Sequence, residues 1–440
     1  MRNSQLFRLP LTVALASLTL AVTGCNGPSA TGLKRRAESA KRIEGFRSAF
    51  KYDASRQELN AGRFDRALES IDAAIAGDPE VPDYHLHRGR ILLESDRLER
   101  AEKGLRDAIV RQQELMEKTV AEIDERMATD EIDDRLRSVL EDRLAAGTAI
   151  EAEANWFLGI VYQRWNRDAD ALEVYRRAME VDSDEERYVV AAGEMLLNLG
   201  RPDEVDELIL PVLDVFEGSG TLQFVLARAA MLRGDAALAA ARYGQANVQR
   251  PGDAILHQEK LRAEFAAGQY QTALDTITMI SARQSQPSSE LIRMEARCLS
   301  KLGRTIDAQI AYRELLRIEP DDLSAWIESG TVAWELESFD RVARSGAQVV
   351  AIAPNRWEGW FLRGLAEQAK GDLVEAERLM KEAAGRAENS ALPHLLLGSM
   401  LEDRGDAAGA RAAMQAALKA EPESDDVQGL QALILSQAGG

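Results

Sequence analysis

Apolar residues run along this chain in pairs of stripes with helical spacing. In the last clear pair, Leu395, Leu396, Leu397 and Leu401 surround Gly398, and Arg404-Gly405-Asp406 then breaks the pattern. A second stripe runs from about Ala407 to Ala420 and stops at Glu421-Pro422. A period near 3.6 residues, interrupted by glycine and closed by proline, predicts two amphipathic helices joined by a tight turn. Gly405 suits the left-handed residue just past a helix end, and Pro422 cannot continue a helix.

The pair is itself a repeat. Ala296, Gly330, Gly364 and Gly398 sit 34 residues apart, as do Ala308, Val342, Ala376 and Ala410. Walking backwards, the small residue of the first helix is Leu261, Ala227, Gly193, Gly159, Gly89 and Ser55. That of the second is Ala273, Ala239, Val205, Ala171, Ala101 and Ala67. Glycine fills the turn at Gly62, Gly200, Gly234, Gly268, Gly303, Gly371 and Gly405. Small residues are expected where helix axes come within about 8–10 Å. Every step is 34 residues except one of 35 before Ala296, near Gln284–Pro287, and one of 70 between Gly89 and Gly159. A helix pair repeated at a fixed period predicts an all-α solenoid in which each unit packs on its neighbours.

The run Trp156, Leu158, Gly159 and Tyr162, followed by Ala171, Tyr175 and Ala178, resembles the tetratricopeptide repeat. The resemblance covers about Ser48 to Ser424, ten units. Leu261, Gly346 and the absent prolines at Gln113, Ser183, Glu217 and Glu388 depart from it. It implies a right-handed superhelix whose first helices line a concave groove for an extended or helical peptide. Mapped here, that rule puts Arg56, Arg90, Arg228, Arg262 and Arg297 in one inner column. Arg293, Tyr52, Trp156, Phe224, Phe265, Trp334 and Phe361 fall at neighbouring inner places. An arginine strip would suit acidic peptides or an anionic polymer. Equally, the arginines could only solvate inner helix faces while the aromatics pack between repeats.

The long step holds residues 112–151, set between repeats one and two (48–111) and repeats three to ten (152–424). Ile109, Met116, Val120, Ile123 and Met127 form one stripe, and Ile132, Leu136, Val139, Leu140 and Leu144 another. They predict a lengthened helix, a turn near 128–131 with Thr129 as N-cap, and a returning helix, together an acidic hairpin. A degenerate eleventh repeat is the alternative. Val427, Leu430, Leu433 and Ile434 fit a capping helix over 425–440.

At the amino terminus, Arg2 and Arg8 precede an apolar run from Leu9 to Val22 that ends in Ala21-Val22-Thr23-Gly24-Cys25. The run is short for a membrane span. Its end resembles the bacterial lipobox, which implies that residues 1–24 are a cleaved signal peptide and that Cys25 is acylated. Asn26 in place of aspartate implies sorting to the periplasmic face of the outer membrane. Residues 25–47 then read as a tether leading into the first helix. Gly27, Pro28, Ser29 and Gly32 resist regular structure, and the cluster Lys34, Arg35, Arg36, Lys41 and Arg42 could rest on anionic headgroups or merely be solvated.

Composition narrows the functions further. A net charge of −19 over 440 residues argues against nucleic acid as a partner. Two cysteines exclude a disulfide framework, and Cys298 reads as a small buried hydrophobe. His85, His87, His257 and His394 stand in no metal-ligand spacing, no phosphate loop or nucleophile elbow occurs, and no cofactor is implied. The expectation is therefore a non-enzymatic, lipid-anchored periplasmic scaffold that binds other envelope proteins in pilus or secretion assembly. An adaptor for cell-wall enzymes or for anionic exopolysaccharide export is the alternative. A hydrolase would need a convergent polar pocket.

Overall fold

The computed structural model describes residues 30–129 and 133–422. Among them the chain forms twenty α-helices and no strand, an all-α repeat fold. Contacts divide it into two compact units, Met1–Glu185 and Glu186–Gly440. The predicted signal peptide (1–24), Cys25 and the capping helix (425–440) lie outside the described residues. Among the described residues no helix is long and apolar enough to cross a membrane.

In the first unit, α1 (Ala30–Asn60) packs on α2 (Phe64–Gly77), α3 (Pro82–Glu94) on α4 (Leu98–Ala128), and α5 (Asp134–Arg164) on α6 (Asp168–Val181). The second unit begins with α7 (Glu186–Asn198), α8 (Pro202–Ile209), α9 (Gly220–Leu232) and α10 (Ala236–Gln249). It continues with α11 (Ala254–Ala266), α12 (Tyr270–Ser281), α13 (Ser289–Lys301) and α14 (Thr305–Ile318). Then follow α15 (Leu323–Glu335), α16 (Phe339–Ile352), α17 (Trp357–Lys370), α18 (Leu373–Ala384), α19 (Leu392–Asp403) and α20 (Ala407–Ala420). Within each unit, helices adjacent in sequence are those that touch most, the mark of a repeat built from local contacts.

The two columns of small residues are the joints. Ala67, Ala101, Ala171, Val205, Ala239, Ala273, Ala308, Val342 and Ala376 have no exposed surface, and only Ala410 is half-buried. In the first-helix column, a methyl on Gly89 would meet Leu105 at 2.6 Å, one on Gly364 would meet Met380 at 2.7 Å, and one on Gly159 would enter the Tyr175 ring. Gly398 is different: a methyl there has 3.6 Å to Ala413, so close approach does not require its smallness.

The turn glycines all take φ between +68° and +91°. Where the column lacks glycine the backbone does the same, with Asp96 at +59°, Asn166 at +55° and Glu337 at +52°. The following amide closes each turn, Arg97 N donating to Leu92 O at 2.8 Å and Ser338 N to Ala333 O at 2.9 Å.

Four details differ from the sequence reading. Where a tether leading into the first helix was expected over residues 25–47, α1 is already helical from Ala30, since alanine, lysine, arginine and glutamate outweigh Gly32 in helix propensity. In the hairpin, α4 and α5 each run 31 residues without a break. Gln112 and Met116 pack over Gly147 and Leu140 is buried, as the predicted stripes require, but Val120, Met127 and Val139 are exposed and Thr119 is buried. The seam is partly polar, since Gln113 Nε2 also donates to Glu151 Oε1 at 2.7 Å. Thr129 closes α4, its hydroxyl donating to Glu125 O at 3.1 Å, and the N-cap of α5 is Asp133, which accepts from Leu136 N at 2.6 Å. Part of the expected turn, 130–131, lies outside the described residues, as does Ile132 of the second stripe. Finally, α8 lasts only eight residues, because Pro211 has no amide proton to extend it; a 3-10 turn, Leu210–Val212, follows.

Candidate functional site

Five first helices, α1, α3, α9, α11 and α13, carry an arginine one residue after the joint position. In the first unit Arg56 of α1 and Arg90 of α3 line one groove of 290 Å³ with Tyr52, Asp83, Glu153 and Phe157. The Arg56 guanidinium lies 5.8 Å from the Tyr52 ring centre. Arg90 donates to Glu94 at 2.8 Å and sits 5.9 Å over Phe157, whose other neighbour is Trp156 at 5.0 Å. The floor is His87, buried against Tyr52 with ring centres 5.2 Å apart. Burial, and then the charges of Arg90 and Arg56, push its pKa down to about 4.

In the second unit most of the mapped arginines are met by carboxylates. Arg262 pairs with Glu259 at 3.1 Å. Arg297 directs Nε (3.0 Å) and Nη2 (2.6 Å) onto one oxygen of Glu328. Arg293, only 15% exposed, sits 2.5 Å from Asp322, 3.4 Å from Glu319 and 3.7 Å from Glu290. Burial alone would raise the Asp322 carboxyl, but Arg293 and the Ala325 amide outweigh it and hold it below the usual carboxylate range. Arg228 is half-buried and makes no ion pair among the described residues. The aromatics are likewise engaged. Phe224 meets Tyr243, Phe265 meets Tyr270 and Trp334 meets Phe339, each pair at 5.5 Å, and Phe361 meets Trp357 at 5.6 Å. Each of the first three ties a first helix to the second helix of its own repeat.

Three histidines, His85, His87 and His257, are buried. His85 Nε2 donates to Pro79 O at 2.9 Å and His257 Nε2 to Asn247 Oδ1 at 2.8 Å, which satisfies both rings inside the joints. Cys298 has no exposed surface, and burial pushes its thiol up to about 11.

The sequence reading missed a second groove, of 820 Å³, between the second helices α14 and α16. Four arginines line it, Arg313 and Arg317 from α14, Arg341 and Arg344 from α16, and no carboxylate does. Arg317 is held by Glu314 at 2.7 Å. Arg313, Arg341 and Arg344 are exposed and make no ion pair among the described residues. Ile306 and Ile310 are exposed beside them. The floor is Trp326 and Ser329 of α15, Ser329 accepting from Gln309 Nε2 at 2.9 Å. The signal was present: 306, 310, 313 and 317 are a 4-3-4 stripe opposite the core stripe of α14.

The family model described as Tetratricopeptide repeat matches residues 52–114. Tetratricopeptide repeat-containing protein trd-1 of Caenorhabditis elegans is 24% identical over 135 residues, which are 31% of this chain and 17% of that protein. The match thus spans under a fifth of the relative's length. Among solved structures, a tetratricopeptide repeat protein from Parabacteroides merdae aligns at 15% identity and TM-score 0.41, over 62% of this chain and 93% of that one. MamA from Desulfovibrio magneticus RS-1 aligns at 20% identity and TM-score 0.35, over 39% and 96%. The family match and the succession of paired helices support a tetratricopeptide repeat protein.

Proposed function

We propose that this chain is a lipid-anchored scaffold of the bacterial envelope, facing the periplasm, whose repeats gather other proteins. The tetratricopeptide repeat, whose name the family model and the relative carry, is generally a non-catalytic interaction scaffold. One observation carries the binding reading. In a chain of net charge −19, Arg313, Arg341 and Arg344 face one groove with no carboxylate to answer them, beside exposed Ile306 and Ile310. Guanidinium groups left unpaired beside apolar surface suit an acidic partner segment carrying one or two apolar anchors. The lipobox-like Ala21-Val22-Thr23-Gly24-Cys25 supports the anchor, and Asn26 supports the outer membrane. Pilus or secretion assembly fits such a scaffold. The exported-polymer alternative is less favoured, because Arg293 and Arg297 of the expected open strip are ion-paired.

A photo-crosslinking residue at Ile310, used in cells, tests this together with the mass of the mature chain. The expected result is one dominant envelope-protein adduct that disappears in the triple variant Arg313→Glu, Arg341→Glu, Arg344→Glu, and an acylated Cys25 at the mature terminus. An adduct that survives charge reversal would sink the groove, and an unacylated or uncleaved chain would sink the anchor.

A further inference from the structure

Helix α1 buries only its carboxyl-terminal half. Ser48 and Ser55 have no exposed surface, Ser55 Oγ donates to Ala67 O at 2.8 Å, and Lys51 Nζ donates to Ala73 O at 3.2 Å. Gly77 closes α2 opposite Ser48 and Glu44. Residues 33–43 therefore project past the end of α2, and every one is exposed. At 1.5 Å per residue the overhang is about 16 Å long.

The surface of this overhang is ordered around an apolar patch. Phe46 and Phe50 are each 77% exposed and Ile43 is 51% exposed. With about 100° between successive residues, all three lie on the side opposite Ser48 and Ser55. Arg35 and Arg42 border the patch on one flank, Arg36 and Arg47 on the other. From Leu33 to Phe50 there are six cations against two carboxylates, Glu38 and Glu44, in a chain that is otherwise strongly acidic. The Arg47–Glu44 pair, at 3.3 Å and exposed, is too weak to withdraw that arginine.

We propose that this face of α1 is a membrane-binding surface, lying along an anionic lipid leaflet with Ile43, Phe46 and Phe50 among the acyl chains and the flanking arginines on headgroup phosphates. It deepens the anchoring reading above but stands on the helix alone. Burial of an apolar face together with attraction to anionic headgroups is what holds an interfacial helix. Arginine forks on both flanks match phosphates at one depth. A second copy of the chain fits less well, since a two-fold pairing of this face would set arginines against arginines.

The test uses full-length Cys25→Ser protein carrying Ile43→Cys. Cys298 is fully buried, so an environment-sensitive fluorophore goes to position 43. Added vesicles of phosphatidylglycerol and phosphatidylcholine in equal parts are expected to blue-shift the label, with binding at least about tenfold weaker to phosphatidylcholine alone. Two variants, Phe46→Ser with Phe50→Ser, and Arg35→Glu with Arg36→Glu, Arg42→Glu and Arg47→Glu, are each expected to weaken it similarly. Residues 1–29 are common to every arm, so the differences report α1 itself. An unshifted label, binding indifferent to both variants, or a shift that grows with protein concentration without vesicles would overturn the proposal. Loss of acylation at Cys25 would sink only the anchor, and the mass of the wild-type chain reads that separately.

Discussion

Arg297 closes on Glu328 across two successive first helices, with Nε at 3.0 Å and Nη2 at 2.6 Å from a single carboxylate oxygen. The separation of 31 residues is one repeat less three, so the partner is one helical turn back in the next unit. That makes the pair a clasp between repeats, with both side chains about a third exposed. A double-mutant cycle with Arg297→Ala and Glu328→Ala should return a coupling of about 0.5–1 kcal/mol in urea unfolding. Coupling near zero would mean that the arginine is held by something else.

The first-helix column separates two glycines by their surroundings. A methyl on Gly159 enters the Tyr175 ring, which is fully buried and fixed by its hydroxyl donating to Gln163 at 2.6 Å. Gly159→Ala should lower stability by about 1–3 kcal/mol. Gly398 lies mid-helix with ordinary contact distances, so Gly398→Ala should raise it by up to about 1 kcal/mol through helix propensity. Thermal unfolding of the two variants decides the matter: equal effects would show that the column is not a set of joints.

These two cases show what was legible in the sequence. The period, the second-helix joints and the turn glycines follow from steric rules that act on one residue at a time, and Ala67 through Ala376 obey them. The clasp was not legible, because pairing Arg297 with Glu328, or Arg293 with Asp322, needs the offset between neighbouring repeats. Part of the hairpin seam was misplaced for a related reason: Met116 and Leu140 lie in it as expected, but Val120, Met127 and Val139 do not. Apolar spacing favoured Val120, yet Thr119 is the buried residue, since its hydroxyl is satisfied by Leu115 O at 2.8 Å and can be enclosed. The groove between α14 and α16 escaped because it is formed by second helices.

Glu337 carries the turn column into a left-handed conformation, φ +52°, where its Cβ is strained. The turn itself is intact, Ser338 N donating to Ala333 O at 2.9 Å. Glu337→Gly should therefore raise stability by about 0.5–1 kcal/mol, as the strain relieved exceeds the backbone freedom gained in the unfolded chain. Glu337→Val should lower it by more than that, because a β-branched side chain fits this region worst. If urea midpoints order the three as valine above glutamate above glycine, left-handed geometry is not what limits this turn.

The buried imidazole of His87 should make the first unit sensitive to mild acid. It is 7% exposed, and burial, then Arg90 and Arg56, push its pKa down to about 4, against about 6.5 for an unfolded histidine. Between these values the unfolded chain holds a proton that the native chain does not, so stability rises with pH. The contribution is fully present above pH 6.5 and falls away as the pH drops towards 4. Its full size, for a shift near 2.5 units, is about 3 kcal/mol. Burial lowers His85 and His257 as well, and they act in the same direction. Carboxylates depressed by arginines contribute mainly nearer pH 4, while burial raises the Glu295 carboxyl and opposes the histidines, so the comparison of His87 with its replacement isolates this ring. From about pH 5 to 7, His87→Phe should flatten the loss of stability by up to one proton's worth of slope, about 1.4 kcal/mol per pH unit, in urea titrations followed by circular dichroism. An unchanged slope would mean that the native structure admits the proton and that the ring is not held neutral by its burial beneath Tyr52.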